Sequence, residues 1–433
     1  MKINYFVLDE MSETDRRALC RRSEADISTL AATVSPIIDA VRASGDEALF
    51  KYTAEFDGAD LRAKGLRVSD AEIDSAIGSL DPSIKEVLDY SAANIRRYHQ
   101  AQMPEEMWFV EIAPGILAGE KVTPITSVGL YVPSGKGSFP SVMLMLGIPA
   151  QIAGVPRVVV CTPPRPDGTV DPATLYAARI CGLHDVYRVG GAQAIAALAY
   201  GTASIPRVAK TLGPGNSYVS AAKRILYGVV DPGTPAGPSE SIILCDANVE
   251  PRIAGLDLLI EAEHGPDSTA LLVTHDKRVA DEVAKLLPDL VSKLPPKRRE
   301  YCETVLAGYG GIVLTPSLEE SIAFVNEFAP EHLEVLVDDP MAILGAIKNA
   351  GEILLGQFTP ITVGNFCLGV NAILPTGGFA RSFSAVTVHD YLKRSSIGYV
   401  SQLGYPGISP KAQQFAEYEG FAAHAMAIRE RNI

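Results

Sequence analysis

From about residue 126 onward the sequence alternates short, continuously apolar runs with longer helical stretches, and this limits the chain to folds built on buried parallel strands. SVGLYV, RVVVC and DVYRV are separated by VMLMLGIPAQIAG and ATLYAARICG and followed by AQAIAALAYG. A strand apolar on both faces must be covered on both, and helices between successive strands do this in a parallel α/β sheet. The pattern pauses at the Gly- and Pro-rich GVVDPGTPAGPSE, residues 228 to 240. It resumes with SIILCD, IAGLDLLIEAEHG, TALLVTH, a helix around VADEVAKLL, then GGIVL and HLEVLV. Two α/β stretches are expected, and 433 residues suffice for two packed units. The first hundred residues have helical signals instead. Ser69 and Glu72 have capping-box spacing, Asp81-Pro82 is a helix start, and Ile84, Val87, Leu88 and Ile95 recur as on a core-facing helix. The last fifty residues lose the strand signal, and Glu419 and His424 are expected on one helix, either a docking arm or a solvated end.

Composition narrows the partners. A net charge of -13 argues against nucleic acid or anionic lipid, which draw on clustered Lys and Arg. No segment approaches the roughly 20 apolar residues that span a bilayer, and MKINYFVLDEMSETDRR lacks a secretory apolar core. A cytoplasmic protein acting on a small molecule is expected. Cysteines 20, 161, 181, 245, 302 and 367 form no C-x-x-C pair, which disfavours a disulfide framework or thiolate zinc site. In GLYVPSGKGS five residues separate Gly129 from Gly135-Lys136 and Gly follows the lysine, so no P-loop is present; nor is there a G-x-G-x-x-G fingerprint. Three loops remain where an open α/β sheet could bind a ligand: VGGAQAI around Gln193, LGPGNSYV around Asn216 and PAGPSES around Ser239. Each is equally a plain turn by its Gly, Pro and Asn content.

The seven histidines are informative through their neighbours. Glu261 and His264, three apart near a helix end, share a face and suit either a metal or a surface ion pair. Glu331 and His332 follow Pro330 and precede an apolar strand. Ionisable groups there are costly to desolvate unless paired or useful, and an imidazole beside a carboxylate suits acid/base work. Histidines 99, 184, 275 and 389 lack such company and are expected at the surface or in packing. Cys367 could act as a thiol nucleophile on an aldehyde, although no base is visibly paired with it.

In order, GLYVPSG, VGGAQAIAALAYG, GPGNSYVSAAK, AGPSE, EAEHGPDS, APEHLE, LPTGGFAR and EGFAAH resemble the motifs of the histidinol dehydrogenase family, across nearly the whole chain beyond the first twenty-odd residues. The resemblance implies two intertwined, incomplete Rossmann-like α/β domains with parallel sheets and small helical arms. Their expected extents are 1–26 for an N-terminal arm, 27–130 with 238–382 for the metal-bearing and catalytic domain, 131–237 for the NAD-binding domain, and 383–433 for a C-terminal arm exchanged in a homodimer. It implies four-electron oxidation of an amino alcohol through the aldehyde to the acid, with NAD and a divalent metal of zinc type.

By position, Tyr131, Gln193 and Asn216 match NAD contacts, and Ser239, His332 and Glu419 match substrate contacts. Glu331 and His332 match the catalytic pair, and Glu261, His264, Asn365 and His424 the metal ligands. Two departures stand out. The family has Gln at position 261 and Asp at 365, so carboxylate and amide are exchanged, and Ala372 replaces a pocket histidine. These differences favour a small polar alcohol other than histidinol, with histidinol itself and a non-catalytic scaffold as the alternatives.

Overall fold

The computed structural model describes residues 1–21, 27–134 and 137–431. Gly135 and Lys136 of the glycine-rich loop, residues 22–26 of the expected N-terminal arm and the last two residues of the C-terminal arm lie outside the described residues. Two compact units emerge: residues 1–102 with 126–391, and residues 103–125 with 392–433. In chain order the strands among the described residues are β1 (Tyr5–Val7), β2 (Met107–Ala113), β3 (Ile116–Pro124), β4 (Val128–Tyr131), β5 (Val158–Cys161), β6 (Val186–Tyr187) and β7 (Lys210–Leu212). There follow β8 (Glu240–Cys245), β9 (Thr269–Thr274), β10 (Gly311–Leu314), β11 (His332–Leu336), β12 (Glu352–Leu355) and β13 (Leu392–Val400).

The first unit holds two wholly parallel sheets, in the orders β6-β5-β4-β7 and β1-β10-β9-β8-β11-β12. Each apolar run from residue 126 onward is one of these strands, because only a sheet interior accepts residues that are apolar on both faces. In β8, Ile242 and Leu244 join a core with the helix Leu318–Phe328, while Ile243 and Cys245 join one with the helices Pro251–Ala262 and Lys277–Ser292. On β11, Leu333 and Val335 point to the first core, so His332 and Glu334 point toward the second. β1, inside the stretch expected to be helical, completes the larger sheet by pairing with β10.

The capping box at Ser69 and Glu72 and the Asp81-Pro82 helix start are both present. Of the four apolar residues that follow, Leu88 and Ile95 are buried, whereas Ile84 and Val87 are exposed. Only half of that stripe faces a core.

The second unit corrects the expectation of a strandless C-terminus. β13 pairs antiparallel with β3, which pairs with β2. Its sequence LKRSSIGYV has little apolar alternation, so pairing to β3 sets its conformation. Glu419 and His424 do not share a helix. Glu419 caps the helix Tyr405–Tyr418, Gly420 turns the chain at φ 80°, and His424 lies on Ala422–Arg429.

Candidate active site

The residues expected to do acid/base work gather at the amino edge of the six-stranded sheet. His332 and Glu352 open β11 and β12 and are register partners, and His332 is also the register partner of Ser241. The loop into β11 leaves the helix Leu318–Phe328 through Ala329, the one non-glycine residue with positive φ among those described, at 54°. That turn sets Glu331 and His332 side by side at the strand end, an arrangement worth roughly 1 kcal/mol of backbone strain. Glu331 Oε2 accepts the Glu240 backbone N–H at 2.8 Å, and Glu240 Oε1 accepts the Gly377 N–H at 2.8 Å. Gly237 N–H donates to Thr376 Oγ1 at 2.6 Å. AGPSE, APEHLE and LPTGG, far apart in sequence, thus form one edge.

His332 is buried among three carboxylates. Its Nδ1 is 2.6 Å from Glu352 Oε1, while Nε2 is 3.8 Å from Glu331 Oε1 and 3.9 Å from Glu261 Oε1. Burial alone would lower the imidazole pKa; the negative charges of Glu261, Glu331 and Glu352 outweigh it and push it up to about 10. Burial drives Glu331 well above the usual carboxylate range, against the pull of His332, with Glu261 and Glu240 adding to the rise. Deeper on the same face, burial and then the charge of Asp257 push Glu334 up to about 10.

Beside this cluster lie three of the four expected metal ligands. Glu261, fully buried, closes the helix Pro251–Ala262, and His264 follows just beyond the helix end with Nδ1 3.2 Å from Glu261 Oε2. Asn365, on a π-helical turn at Gly364–Leu368, donates from Nδ2 to Glu261 Oε1 at 3.2 Å. Glu261 Oε2 and Asn365 Oδ1 are buried with no hydrogen-bond partner. Orphaned acceptors beside an imidazole nitrogen fit a divalent cation, which takes oxygen and nitrogen donors together. Among the described residues no three His, Cys, Asp or Glu side chains gather as ligands; the donors here are one carboxylate, one imidazole and one amide. Ser239 Oγ is 3.1 Å from His264 Nδ1, so the expected substrate contact borders the same group. His424 and Glu419 belong to the second unit.

The expected NAD contacts lie at the carboxyl ends of the four-stranded sheet. Tyr131 ends β4, and its hydroxyl accepts the Gly191 N–H at 3.0 Å, at the start of the helix Gly191–Tyr200. Gln193 is buried on that helix with both amide atoms unpartnered. A Cβ on Gly191, at φ 64°, would fall 2.6 Å from Gln193 Oε1. A buried amide without partners at a helix N-terminus is suited to a polar, phosphate-bearing ligand. Asn216 instead caps its own helix, accepting from Tyr218 and Val219 N–H at 3.1 Å each.

Several expectations change. The carboxyl-edge rule serves the four-stranded sheet, but Ser239, Glu331 and His332 sit at an amino edge, where helices run into strands. Cys367 has Ser91 Oγ at 3.9 Å from its sulfur and, among the described residues, no base hydrogen-bonded to it. His99 is buried, with Nδ1 2.8 Å from Gln102 Oε1 and Nε2 3.2 Å from Asn371 Nδ2, and so braces the segment holding Ala372. Glu352 was not among the residues expected at the site, although an acidic residue opening the apolar run EILL is the same signal as Glu331-His332 before LEVLV.

The histidinol dehydrogenase family model matches residues 20–432. A histidinol dehydrogenase homolog from Cereibacter sphaeroides is 53% identical over 99% of this chain and 98% of its own length. A histidinol dehydrogenase from Synechocystis is 50% identical over 98% of each chain. The crystal structure of histidinol dehydrogenase from Elizabethkingia anophelis superposes with a TM-score of 0.93 at 33% identity, covering 99% of this chain and 97% of that one.

Proposed function

We infer that this chain, which belongs to the histidinol dehydrogenase family of NAD-dependent oxidoreductases, oxidises a small polar primary alcohol through the aldehyde to the acid, with L-histidinol as its substrate. The observation that carries the reading is a buried imidazole between carboxylates, next to orphaned buried donors fit for a dication. The choice of L-histidinol rests on the 50% identity to the Synechocystis histidinol dehydrogenase.

In the reaction, His332 takes the hydroxyl proton on Nε2, the ring nitrogen turned away from Glu352; a cation held by Glu261 would offset the negative charge that keeps the ring protonated and so free Nε2 to accept. Glu331 lies on the Nε2 side at 3.8 Å, placed to activate water at the aldehyde stage. Glu261, His264 and Asn365 would hold the metal, joined by His424 of the C-terminal arm, and Ser239 and Glu419 would hold the substrate's polar groups. Tyr131, Gln193 and Asn216 would line the NAD site. When bound, the metal supplies positive charge that polarises the alcohol oxygen, and NAD supplies the hydride acceptor. The exchanged C-terminal arm makes the working unit a homodimer.

A second reading, a different small polar alcohol, is favoured by Ala372, Glu261 and Asn365, which stand where the resemblance implies His, Gln and Asp. NADH stoichiometry against L-histidinol, other amino alcohols and small diols separates the two. L-Histidinol yielding about two NADH per molecule is the expected result, since alcohol to acid is a four-electron change. Turnover of a diol but not of histidinol would move the chain to the second reading, and turnover of none would end both.

A further inference from the structure

We propose that Glu352 is a positioning residue that keeps the proton of His332 on Nδ1, so that Nε2 is the nitrogen offered to the reacting alcohol. The proposal rests on the reading of His332 as the proton acceptor. Its basis is the asymmetry of contacts around the ring. Glu352 Oε1 is at 2.6 Å on the Nδ1 side, whereas the nearest carboxylate oxygens on the Nε2 side stand at 3.8 and 3.9 Å, too far for a hydrogen bond. A carboxylate can only accept, so Nδ1 must donate and the ring's lone pair lies on Nε2. Nδ1 keeps its proton in both charge states, and Nε2 has the free lone pair once the ring is neutral.

The placement of Glu352 has no other evident use. Backbone pairing fixes it directly opposite His332 across the two strands, on the face that also carries Leu354 of the apolar core. Glu352 Oε2 is buried and has no hydrogen-bond partner, so the side chain caps no helix and ties no loop. A buried carboxylate whose one hydrogen bond is to an imidazole is costly for stability alone. The arrangement matches the carboxylate that fixes tautomer and ring orientation in hydrolytic triads, here supplied by an adjacent parallel strand.

The test compares Glu352→Gln, Glu352→Ala and Glu352→Asp in the metal-loaded enzyme, each also combined with His332→Ala. Glu352→Gln preserves shape, but its amide can turn a donor toward Nδ1, so kcat is expected to fall at least tenfold with KM within about threefold. Glu352→Asp should recover part of that loss. In the His332→Ala background, Glu352→Gln should change kcat by less than about twofold, because a residue acting only through the imidazole has nothing left to position. A readout independent of turnover is the far-downfield proton resonance of the His332–Glu352 hydrogen bond. It should be present in the wild type and absent from both His332→Ala and Glu352→Gln. The proposal is overturned if Glu352→Gln keeps kcat within about twofold, if its loss persists undiminished without His332, or if the resonance survives the substitution. Should the wild type oxidise no alcohol, the functional reading fails and the resonance alone decides the positioning role. If Glu352→Ala does not fold, the isosteric Gln variant carries the comparison.

Discussion

The proposed chemistry turns on a single imidazole. His332 lies where three carboxylates converge, and its neighbour Glu331 is held by the Glu240 backbone. Replacing His332 with Ala should slow alcohol and aldehyde oxidation alike, by about 10²-fold or more for a true general base. Glu331→Gln should spare alcohol oxidation relative to aldehyde oxidation. Single-turnover NADH formation from each substrate distinguishes these, and equal losses in both steps would remove the water-activating role. Glu261 and Asn365 form the other residue-scale pair. Exchanging carboxylate and amide relative to the family keeps the charge and donor types of the ligand set, so Glu261→Gln should weaken metal binding by leaving no anionic ligand. Adding Asn365→Asp should restore much of the affinity. Metal content after dialysis against a weak chelator checks both, and a double variant no better than the single one would contradict the exchange.

Between β11 and the helix Pro251–Ala262 the fold carries an electrostatic cost. Glu334 is fully buried, with Asp257 facing it and the Ile361 N–H donating to its Oε2 at 3.3 Å. Its pKa is raised from 4.5 to about 10, burial being the larger cause and Asp257 the next. The folded chain therefore holds a proton that the unfolded chain releases above its ordinary carboxyl pKa. Stability from this group is fully present below its ordinary carboxyl pKa and falls as pH rises from there toward 10. Glu334→Gln keeps the acceptor for Ile361 and cannot ionise. Its Tm should exceed the wild-type value at pH 8, with the gap closing toward pH 5. His332 titrates in both proteins, so the difference reports the proton shared by Glu334 and its neighbour Asp257. A gap independent of pH would show that Glu334 is not held protonated.

For the whole molecule, the consequential feature is that Glu419 and His424 belong to a unit separate from the one carrying His332. The family's exchanged arm implies that they complete the neighbouring subunit's site. Mixing His332→Ala chains with His424→Ala chains, each inactive alone, should then regain activity as hybrid dimers form. Each hybrid would carry one intact site, so an equal mixture should reach about a quarter of wild-type activity if subunits exchange freely. No recovery in hybrids confirmed by mass spectrometry would mean that each chain completes its own site.

The two parallel sheets were legible in the sequence because the demand behind them is local: a strand covered on both faces must be apolar at most positions, and the runs from SVGLYV to HLEVLV are, with the few ionisable exceptions such as His332 and Glu334 standing out. Caps at Ser69 and Asp81 were legible for the same reason, since donor and acceptor lie within one helical turn. Glu331-His332 and Glu261-x-x-His264 were visible as ionisable pairs, and the family resemblance carried their roles. Strand register and long-range pairing decided the rest. β1 and β13 are strands because β10 and β3 offer their backbone groups; YFV is too short, and LKRSSIGYV too polar, to announce it. Glu352 meets His332 twenty residues away because β12 pairs with β11 in that register, and a one-residue slip would turn its carboxylate to the opposite face of the sheet.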